Sequence, residues 1–494
     1  MRSMKPIRIL AILILSLCAF PVARAADTPP TTPNIVYILA DDLGYGDVHC
    51  LNPQRGKIAT PSIDRLATQG MSFTDAHSSS SVCTPTRYGI LTGRYAWRTR
   101  LQGGVLFGLS KPLIAPDRFT VGKLLQQHGY HTACLGKWHL AGSGGGGRGP
   151  FPPELMPNRQ GFDYFFGTPM YNGTARTVQP GFDCQMMRNG EVIEDNADMN
   201  TLTQRYTQEA LEFIRLNRDR PFFLYLAHNM PHVPLGASEN FRGKSKRGLY
   251  GDCIEEIDWS TGRVLDALKE LGLDERTLVV FTSDNGPWIE KQIGDDAGCA
   301  DPLRGSKMMT WDGGPRVPCM MRWPGKIPAG RVCREVAATI DLLPTFARLA
   351  GADVPSDRII DGKDIFPLMS GQAGAVSPHE AFYFYCFTHL QAVRSGKWKL
   401  VLPRPAHPPW TSWNARIIDA VPSSQLYDLD ADIEEKRDVA AGHPDVVERL
   451  MKRVEQARED LGDYDRIGKG ARFFDQPVPT RREFVAPRKG AEKN

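Results

Sequence analysis

The sequence predicts an α/β fold, a mixed, mostly parallel sheet with helices on both faces, followed by a smaller C-terminal antiparallel sheet with a helix. Three observations predict it. Nearly continuous apolar runs, typical of strands buried on both faces, recur along the chain. Segments with helical apolar periodicity alternate with these runs, as in right-handed β-α-β units. Polar residues directly follow the runs, at the sheet edge where ligands bind in such folds.

The elements of the larger part follow from these patterns in chain order. Predicted strands cover residues 34–40, 131–135, 221–227 and 277–282, and predicted helices cover residues 62–70, 120–129, 202–216, 254–271 and 339–349. Ser62 is the expected cap of the first of these helices. A further helix is expected to begin at Pro85, because proline tolerates the first helical position, with Thr84 as its N-cap.

Beyond about residue 371 the pattern changes to short, aromatic-rich strands. Residues 382–387 and 398–401 are predicted strands around a Ser395-Gly396 turn, residues 426–429 add a strand, and residues 446–461 form an amphipathic helix. We therefore expect one large domain over residues 26–375 and a smaller α+β subdomain over residues 376–494 that ends in a frayed basic tail.

The first residues predict a secretory signal peptide over residues 1–25. A positively charged start precedes an apolar run, residues 9–20, that is too short to span a bilayer comfortably. Ala23-Arg24-Ala25 then offers a small-x-small cleavage site. This pattern predicts an exported protein, periplasmic or secreted, with no membrane segment after cleavage, and an uncleaved anchor is the alternative.

Composition argues against some classes of function. The 494-residue chain has a formal net charge of +4, which is small for its size and argues against a dedicated nucleic-acid binder. Ten cysteines are present without a C-x-x-C motif or a His/Cys cluster, so no zinc site is indicated. In an exported chain some cysteines other than Cys18 and Cys83 could pair, and the sequence leaves the pairing open.

The stretch Cys83-Thr84-Pro85-Thr86-Arg87 is the central candidate for chemistry. At the N-terminus of the predicted helix, unpaired backbone N–H groups would favour an anion near Cys83. Arg87 lies four positions later and could face the same pocket. A sulfur side chain beside a fixed cation at a helix N-terminus suits anion handling, and a buried cysteine that only fills space is the alternative.

Charged and polar residues follow four of the predicted strands. In chain order they are Asp41, Asp42, Lys137, His139, His232, Asp284 and Asn285. Because the carboxyl ends of parallel strands meet at one edge, these residues are expected to share a site. For each Asp or Asn taken alone, a turn or capping role is the alternative.

One subset of these residues offers only oxygen ligands: Asp41, Asp42, Asp284 and Asn285. Carboxylate and amide oxygens suit a hard cation, Ca²⁺ or Mg²⁺, rather than zinc or copper. Arg87, Lys137 and Lys307 would add positive charge. A clamp of metal, arginine and lysine suits a sulfate or phosphate ester, because it stabilises negative charge that develops in the transition state.

Four segments carry a family resemblance. They are Cys83-Thr84-Pro85-Thr86-Arg87 with Leu91-Thr92-Gly93-Arg94, Gly136-Lys137-Trp138-His139, Thr282-Ser283-Asp284-Asn285-Gly286, and Trp311-Asp312-Gly313-Gly314-Pro315-Arg316-Val317-Pro318. Together they resemble the arylsulfatase A-like sulfatases, a formylglycine-dependent family of the alkaline phosphatase-like superfamily. The likeness runs from about residue 34 to about residue 439 and implies that residues 26–375 form the catalytic sulfatase domain. Residues 306–309 and the glycine-rich stretch 142–149 depart from the family pattern, which concerns substrate contacts.

The resemblance implies that Cys83 is converted to formylglycine by a formylglycine-generating maturation enzyme. The hydrated aldehyde would be the nucleophile, and its second hydroxyl would let the enzyme expel sulfate and reset, which a serine ester could not do. Calcium would be bound by Asp41, Asp42, Asp284, Asn285 and modified Cys83. Asp284 would also help deprotonate the attacking hydroxyl.

The remaining candidates receive roles toward the sulfate from the same resemblance. Arg87 and Lys137 would stabilise the hydrate, while Lys137, His232 and Lys307 would hold the sulfate oxygens. His232 or Lys307 would assist the departing alcohol. His139 would remove a proton from the second hydroxyl.

The leading interpretation is a sulfate-ester hydrolase that acts on a sulfated small molecule or saccharide. The second interpretation is a phosphate or phosphonate ester hydrolase of the same superfamily. The third is an exported, non-catalytic carbohydrate-binding protein in which Cys83 stays unmodified. Asn172-Gly173-Thr174 also matches a glycosylation sequon, a short motif that often matches by chance.

Overall fold

The structure, a computed structural model, describes residues 32–99, 104–106, 110, 113–141, 151, 153–172, 184–406 and 419–472. The chain divides into two units, residues 1–31 and 32–494, and all described residues belong to the second. The predicted signal peptide, the stretch 142–149 and the basic tail lie outside the described residues. Among the described residues, none of the helices combines the length and the apolar character needed to cross a membrane.

The strands and helices of the described residues are numbered in chain order. The strands are β1 Asn34–Ala40, β2 Met71–Phe73, β3 Ala76–His77, β4 His131–Gly136, β5 Tyr164–Gly167, β6 Met186–Arg188, β7 Glu191–Glu194, β8 Phe222–Ala227, β9 Thr277–Ser283, β10 Cys319–Arg322, β11 Arg331–Cys333, β12 Ala337–Ala338, β13 Phe382–Cys386, β14 His389–Ser395, β15 Trp398–Val401, β16 Gln425–Asp428, β17 Gly462–Asp463 and β18 Arg466–Ile467. The helices are α1 Pro61–Gln69, α2 Cys83–Thr92, α3 Val121–Gln127, α4 Leu202–Leu216, α5 Gly248–Glu270, α6 Glu290–Ile293, α7 Leu342–Leu349, α8 Phe366–Met369 and α9 Pro444–Asp460.

Ten strands form the large sheet, in the order β11-β2-β10-β9-β1-β8-β4-β5-β6-β7. The central run from β9 to β5 is parallel, while β10, β6 and β7 pair antiparallel with their neighbours. This confirms the predicted mixed, mostly parallel sheet. The four predicted strands match β1, β4, β8 and β9 to within one residue at each end. Strands of three or four residues, such as β2 and β10, were not predicted because so short a segment shows no readable periodicity.

Strand β1 is apolar at every position after Asn34, and the packing on its two faces explains why. Ile35, Tyr37 and Leu39 belong to the core beneath α2, α3 and α7. Val36 and Ile38 point the other way, into the core beneath α1, α4 and α5. Because successive side chains point to opposite faces, a strand covered on both sides has no polar face.

The smaller sheet is antiparallel, in the order β13-β14-β15-β16, and α9 packs on it. Strand β14 was not predicted, and it changes the topology inferred from the sequence. The Ser395-Gly396 turn joins β14 to β15, not the strand at 382–387 to the strand at 398–401. Gly396 takes φ +55° there, a left-handed conformation that glycine adopts without strain.

Buried ion pairs connect this smaller sheet to segments of the larger one. On β15, the Lys399 Nζ lies 2.7 Å from an Asp312 oxygen and 2.8 Å from a Glu435 oxygen. On β14, the Arg394 Nη1 lies 2.6 Å from an oxygen of Asp75. Asp75 lies between β2 and β3 and is buried. Ion pairs shielded from water therefore link the smaller sheet to the larger one.

Several predicted helix starts were wrong. Helix α5 begins at Gly248 and not at residue 254, α7 begins at Leu342 and not at residue 339, and α9 begins at Pro444 and not at residue 446. The starts of α1 and α2 were wrong by one or two residues. Helix α2 begins at Cys83 itself, with Val82 as its N-cap, so Pro85 occupies the third helical position and Thr84 is not the cap. Helix α1 begins at Pro61, not after Ser62. Proline fits anywhere in the first turn, because the backbone N–H groups there have no helical partner to lose.

Candidate active site

Cys83 occupies the first position of α2, at the end of the helix where backbone N–H groups are unpaired. It is 1% exposed. Burial raises the pKa of its thiol, and the positive charges of Lys137 and Lys307 act in the opposite direction. Cys83 and the eight other cysteines of the described residues carry free thiols, so no disulfide forms among them.

The pairing of β1 with β9 brings two polar dipeptides together. The register aligns Ala40 with Ser283, so the residues that follow each strand emerge side by side at the carboxyl edge of the sheet. Ligand atoms of Asp41, Cys83 and Asp284 all lie within 4.8 Å of one another, and all three residues are buried. The predicted convergence of these distant segments is therefore confirmed.

Arg87 lies one helical turn after Cys83 and is fully buried. Its Nε donates to Asp284 Oδ2 at 2.9 Å, and its Nη1 donates to the carbonyl oxygen of Lys137 at 2.8 Å. The Nζ atom of Lys137 contacts the carboxylate of Asp41. Proximity to Asp284 and Asp41 raises the pKa of Arg87, so it stays charged.

Lys307 is buried, although its loop context in the sequence is one where most lysines are solvated. Its Nζ lies 2.6 and 2.7 Å from the two carboxylate oxygens of Asp42. Asn285 Nδ2 donates to the first of these oxygens at 2.7 Å. The carboxylate of Asp42 raises the pKa of Lys307, so this side chain also stays charged.

Two oxygen atoms of the site lack a hydrogen-bond partner among the described residues. Asp41 Oδ1 and Asn285 Oδ1 are both buried and unpaired. A buried polar atom without a partner is costly, and in native proteins it often faces an ion or a water. Because these are hard oxygen donors beside the carboxylates of Asp42 and Asp284, the residues fit a hard divalent cation.

Burial and the neighbouring charge of Asp41 raise the pKa of Asp284 to about 6. The site contains equal numbers of opposite charges. The carboxylates belong to Asp41, Asp42 and Asp284, and the fixed cations belong to Arg87, Lys137 and Lys307. A divalent cation added to this neutral set would leave two net positive charges for an anionic substrate.

Two histidines face this cluster with defined tautomers. His139 Nε2 lies 3.1 Å from the carbonyl oxygen of Leu106, which can only accept, so Nε2 carries the proton and Nδ1 has no partner among the described residues. His232 Nδ1 lies 2.5 Å from the carbonyl of Val233, which leaves Nε2 directed toward Asp42 at 3.9 Å. Burial holds the pKa of both imidazoles well below the usual range, with help from nearby cations.

Three non-glycine residues of the site have left-handed backbone conformations. They are Asp42 at φ +69°, His139 at φ +60° and Met308 at φ +70°. Such conformations cost of order 1–3 kcal/mol each and tend to occur at functional sites, where the surrounding structure enforces them. Here each one sets the direction of a polar side chain or of its immediate neighbour, Lys307 in the case of Met308.

Two residues behind the histidines were not predicted to belong to the site. Asn172 is 1% exposed, and its Nδ2 donates to the carbonyl oxygens of His232 at 3.0 Å and Asn229 at 3.2 Å. The sequon asparagine is thus engaged inside the fold and is not available for a glycan. The Tyr171 ring lies between the rings of His139, at 5.1 Å, and His232, at 6.0 Å.

Two known protein families match this chain, and together they cover residues 33–460. Residues 33–352 match the Sulfatase family, and residues 306–460 match the C-terminal family of N-sulphoglucosamine sulphohydrolase. The first match alone covers more than half of the chain, and the two together include all the residues of the site described above.

Individual relatives agree with the family matches. Steryl-sulfatase from Mus musculus is 37% identical over 466 residues, covering 79% of this chain and 73% of the relative. N-acetylgalactosamine-6-O-sulfatase from Bacteroides thetaiotaomicron is 31% identical, covering 90% and 97%. A solved structure from work on glycosaminoglycan metabolism by the same bacterium aligns with TM-score 0.75 at 30% identity, covering 86% and 99%. The chain belongs to the sulfatase family, with an arylsulfatase-like catalytic fold, and it is a sulfate-ester hydrolase.

Proposed function

We propose that this sulfatase hydrolyses its substrate with a formylglycine made from Cys83 and a bound Ca²⁺, Mg²⁺ being the alternative ion. The observation that carries the proposal is the meeting of Cys83 with Asp41 and Asp284 at a helix N-terminus, inside a shell of fixed cations. Hydration of the aldehyde supplies two hydroxyl groups on one carbon as the nucleophile.

The proposed metal ligands are the residues with oxygen donors at the ends of β1 and β9. They are Asp41, Asp42, Asp284 and Asn285. The unpaired oxygens of Asp41 and Asn285 support this assignment, and His232 is left out because calcium prefers oxygen over imidazole nitrogen. When bound, the ion supplies Lewis-acid stabilisation of negative charge on the reacting group.

The fixed cations are proposed to bind and orient the sulfate. Arg87 and Lys137 are rigidly held, since each contacts a buried carboxylate and Arg87 also binds the Lys137 carbonyl. Lys307 reaches the site from a segment 265 residues after Asp42 in the chain and is held by that carboxylate. Charges that are fixed before the substrate arrives stabilise a transition state without reorganisation cost.

The histidines are proposed to move protons. His139 has an unprotonated Nδ1 with no competing partner among the described residues, which is the state a general base needs. His232 must gain a proton at Nε2 before it can assist the leaving alcohol. A bound sulfate near that nitrogen would favour the charged imidazolium, because an adjacent negative charge raises the pKa of a histidine.

A sulfated saccharide is the proposed natural substrate class. The N-acetylgalactosamine-6-O-sulfatase relative supports this proposal, because the alignment spans 97% of that enzyme. Export and maturation by a formylglycine-generating enzyme stay part of the proposal, on the strength of the N-terminal sequence and the Cys83 motif.

The decisive experiment combines peptide mass spectrometry with parallel assays of 4-nitrophenyl sulfate and 4-nitrophenyl phosphate. In protein from a host that makes formylglycine, the Cys83 peptide should carry an aldehyde, sulfate should be the preferred ester, and Cys83→Ala should abolish turnover. Cys50→Ala, at a half-buried cysteine outside the site, is the matched control and should retain activity. A free thiol at Cys83 together with full activity would overturn the mechanism, and a preference for phosphate would favour the phosphohydrolase alternative.

A further inference from the structure

A small apolar cluster surrounds Cys83, separate from the three larger cores of the fold. Cys83, Val82 and Met308 form its buried part. Val105, Trp288 and Phe387 pack against them and are only half-buried. We call these last three residues the apolar rim.

Three members of the cluster adjoin residues of the charged site. Val82 directly precedes Cys83, and Met308 directly follows Lys307. The Lys307 Nζ lies 5.3 Å from the centre of the Trp288 ring. The apolar surface therefore begins where the anion-binding groups end, which is where the non-sulfate part of an ester would lie.

Phe387 comes from the smaller sheet, at the tip of the β13–β14 hairpin. Its φ is +54°, a left-handed conformation that a bulky aromatic residue rarely adopts without an external reason. The preceding residue, Cys386, fixes the hairpin to the site through a contact of 3.6 Å between its Sγ and the Met308 carbonyl oxygen. Gly104 lies so close to Phe387 that a Cβ at Gly104 would be 3.2 Å from the aromatic ring.

These observations need an explanation beyond packing. The rim leaves part of Trp288 and Phe387 exposed beside a buried nucleophile. The sulfate itself needs positive charge, which the rim does not offer. Half-exposed aromatic rings beside such groups suit a flat, weakly polar face, because rings stack on such faces with favourable dispersion.

We propose that Trp288 and Phe387 form the binding surface for the leaving alcohol and select alcohols with a flat apolar face. The face is either an aryl ring or the C–H face of a pyranose. This inference rests on the proposed function, since it assumes that the sulfur of the ester is placed beside Cys83.

The test compares Trp288→Ala and Phe387→Ala with wild type on three esters: 4-nitrophenyl sulfate, galactose 6-sulfate and ethyl sulfate. On the esters with a flat face, kcat/KM should fall roughly tenfold, mainly through KM, because one aromatic contact is removed. Ethyl sulfate has no flat face, so its kcat/KM should fall clearly less than that of the other two esters. Loss on the aryl ester only, or on the sugar only, would identify which kind of face is bound.

Binding of the unsulfated alcohols, 4-nitrophenol and methyl galactoside, is measured by calorimetry on the same variants. This readout needs no turnover, so it separates failure of the rim proposal from failure of the proposed mechanism. Phe241→Ala and Trp259→Ala are matched controls, a half-buried aromatic pair whose rings lie 5.8 Å apart next to the core beneath α1, α4 and α5. An equal loss on all three esters, or unchanged affinity for both alcohols, would overturn the proposal.

Discussion

Arg87 joins Asp284 to Lys137: its Nε donates to the Asp284 carboxylate at 2.9 Å while its Nη1 donates to the Lys137 carbonyl oxygen at 2.8 Å. One buried guanidinium thus fixes both a proposed metal ligand and the segment that leads to His139. The forked geometry is what makes this possible, because a lysine ammonium is a point charge that cannot span two acceptors in fixed directions.

Replacing Arg87 by methionine should leave Asp284 buried without its partner. In metal-chelated protein, the free energy of unfolding should fall by about 3–5 kcal/mol, the usual cost of breaking a buried pair. Arg87→Lys should restore part of that stability but not activity. Urea unfolding and turnover of an aryl sulfate check both statements, with Arg358→Met, at an exposed pair, as a control that changes neither. Equal activity in Arg87→Lys and wild type would show that the fork is dispensable.

Removal of the metal should abolish turnover and lower stability. A ligand present at 100 times its dissociation constant stabilises the folded state by about 2.7 kcal/mol. Asn285→Ala removes one unpaired oxygen without changing the net charge, and it should weaken Ca²⁺ affinity roughly tenfold or more. Calorimetric titration of the chelator-treated protein measures this. Asn217→Ala, at a buried asparagine that ends α4, should keep the wild-type affinity.

His139→Ala should lower kcat by about 100- to 10,000-fold, the range expected for loss of a general base, with a small change in KM. Because the pKa of His139 lies below 6.5, the wild-type enzyme should keep this base unprotonated at pH 6.5. A pH profile of kcat that loses its acidic limb in the variant would agree with the assignment. A kcat within twofold of wild type would remove His139 from the mechanism.

Asn172 should act through His232 and not on the substrate. Asn172→Ala leaves the carbonyls of His232 and Asn229 without their donor, which should cost about 1–3 kcal/mol of stability. It should also lower kcat more than it raises KM, because the His232 loop loses its support. Asn217→Ala is again the matched control, since it should lower stability without changing kcat. An intact protein that carries a glycan at Asn172 would contradict the buried position of this side chain.

Buried neutral histidines should make the protein less stable in acid. Burial lowers the pKa of His228 to about 3. Between that value and 6.5 the unfolded chain binds a proton that the folded chain does not, so stability rises with pH across this window by about 1.4 kcal/mol per pH unit. His228→Gln should lower the slope by about that amount in urea unfolding measured from pH 4 to pH 7. His49→Gln, at an exposed position, should preserve the slope, and an unchanged slope in His228→Gln would contradict the assignment.

Sequence reasoning succeeded where one physical signal dominated. The long apolar runs of β1 and β8 could be recognised because both faces of those strands are covered, and the register of β1 with β9 then brings the acidic pairs together. It failed where contacts across long sequence separations decide the outcome. The sequence around Lys307 does not indicate that Asp42 is its ion-pair partner. The sequence around Phe387 does not indicate that this residue lies near Cys83.

Helix starts and short strands failed for a different reason. The first turn of a helix accepts several residue types, so Thr84 and Ser62 satisfied the capping pattern although the helices begin elsewhere. Strand β14 was missed because its alternation is weak, and the hairpin order of the smaller sheet depended on it. These errors did not affect the predicted positions of the candidate site residues, because those positions depend on the long central strands.

The ion pairs of Lys399 with Asp312 and of Arg394 with Asp75 have a consequence for how the chain can be divided. A truncated enzyme that ends before β13 would lose Lys399 and Arg394, and the buried carboxylates of Asp312 and Asp75 would keep only Arg316 as a shared fixed cation. Such a fragment should be recovered as insoluble material, and the intact chain should melt in one cooperative transition. The smaller sheet could therefore not be replaced by another domain during evolution unless the acidic residues that form ion pairs with it also changed.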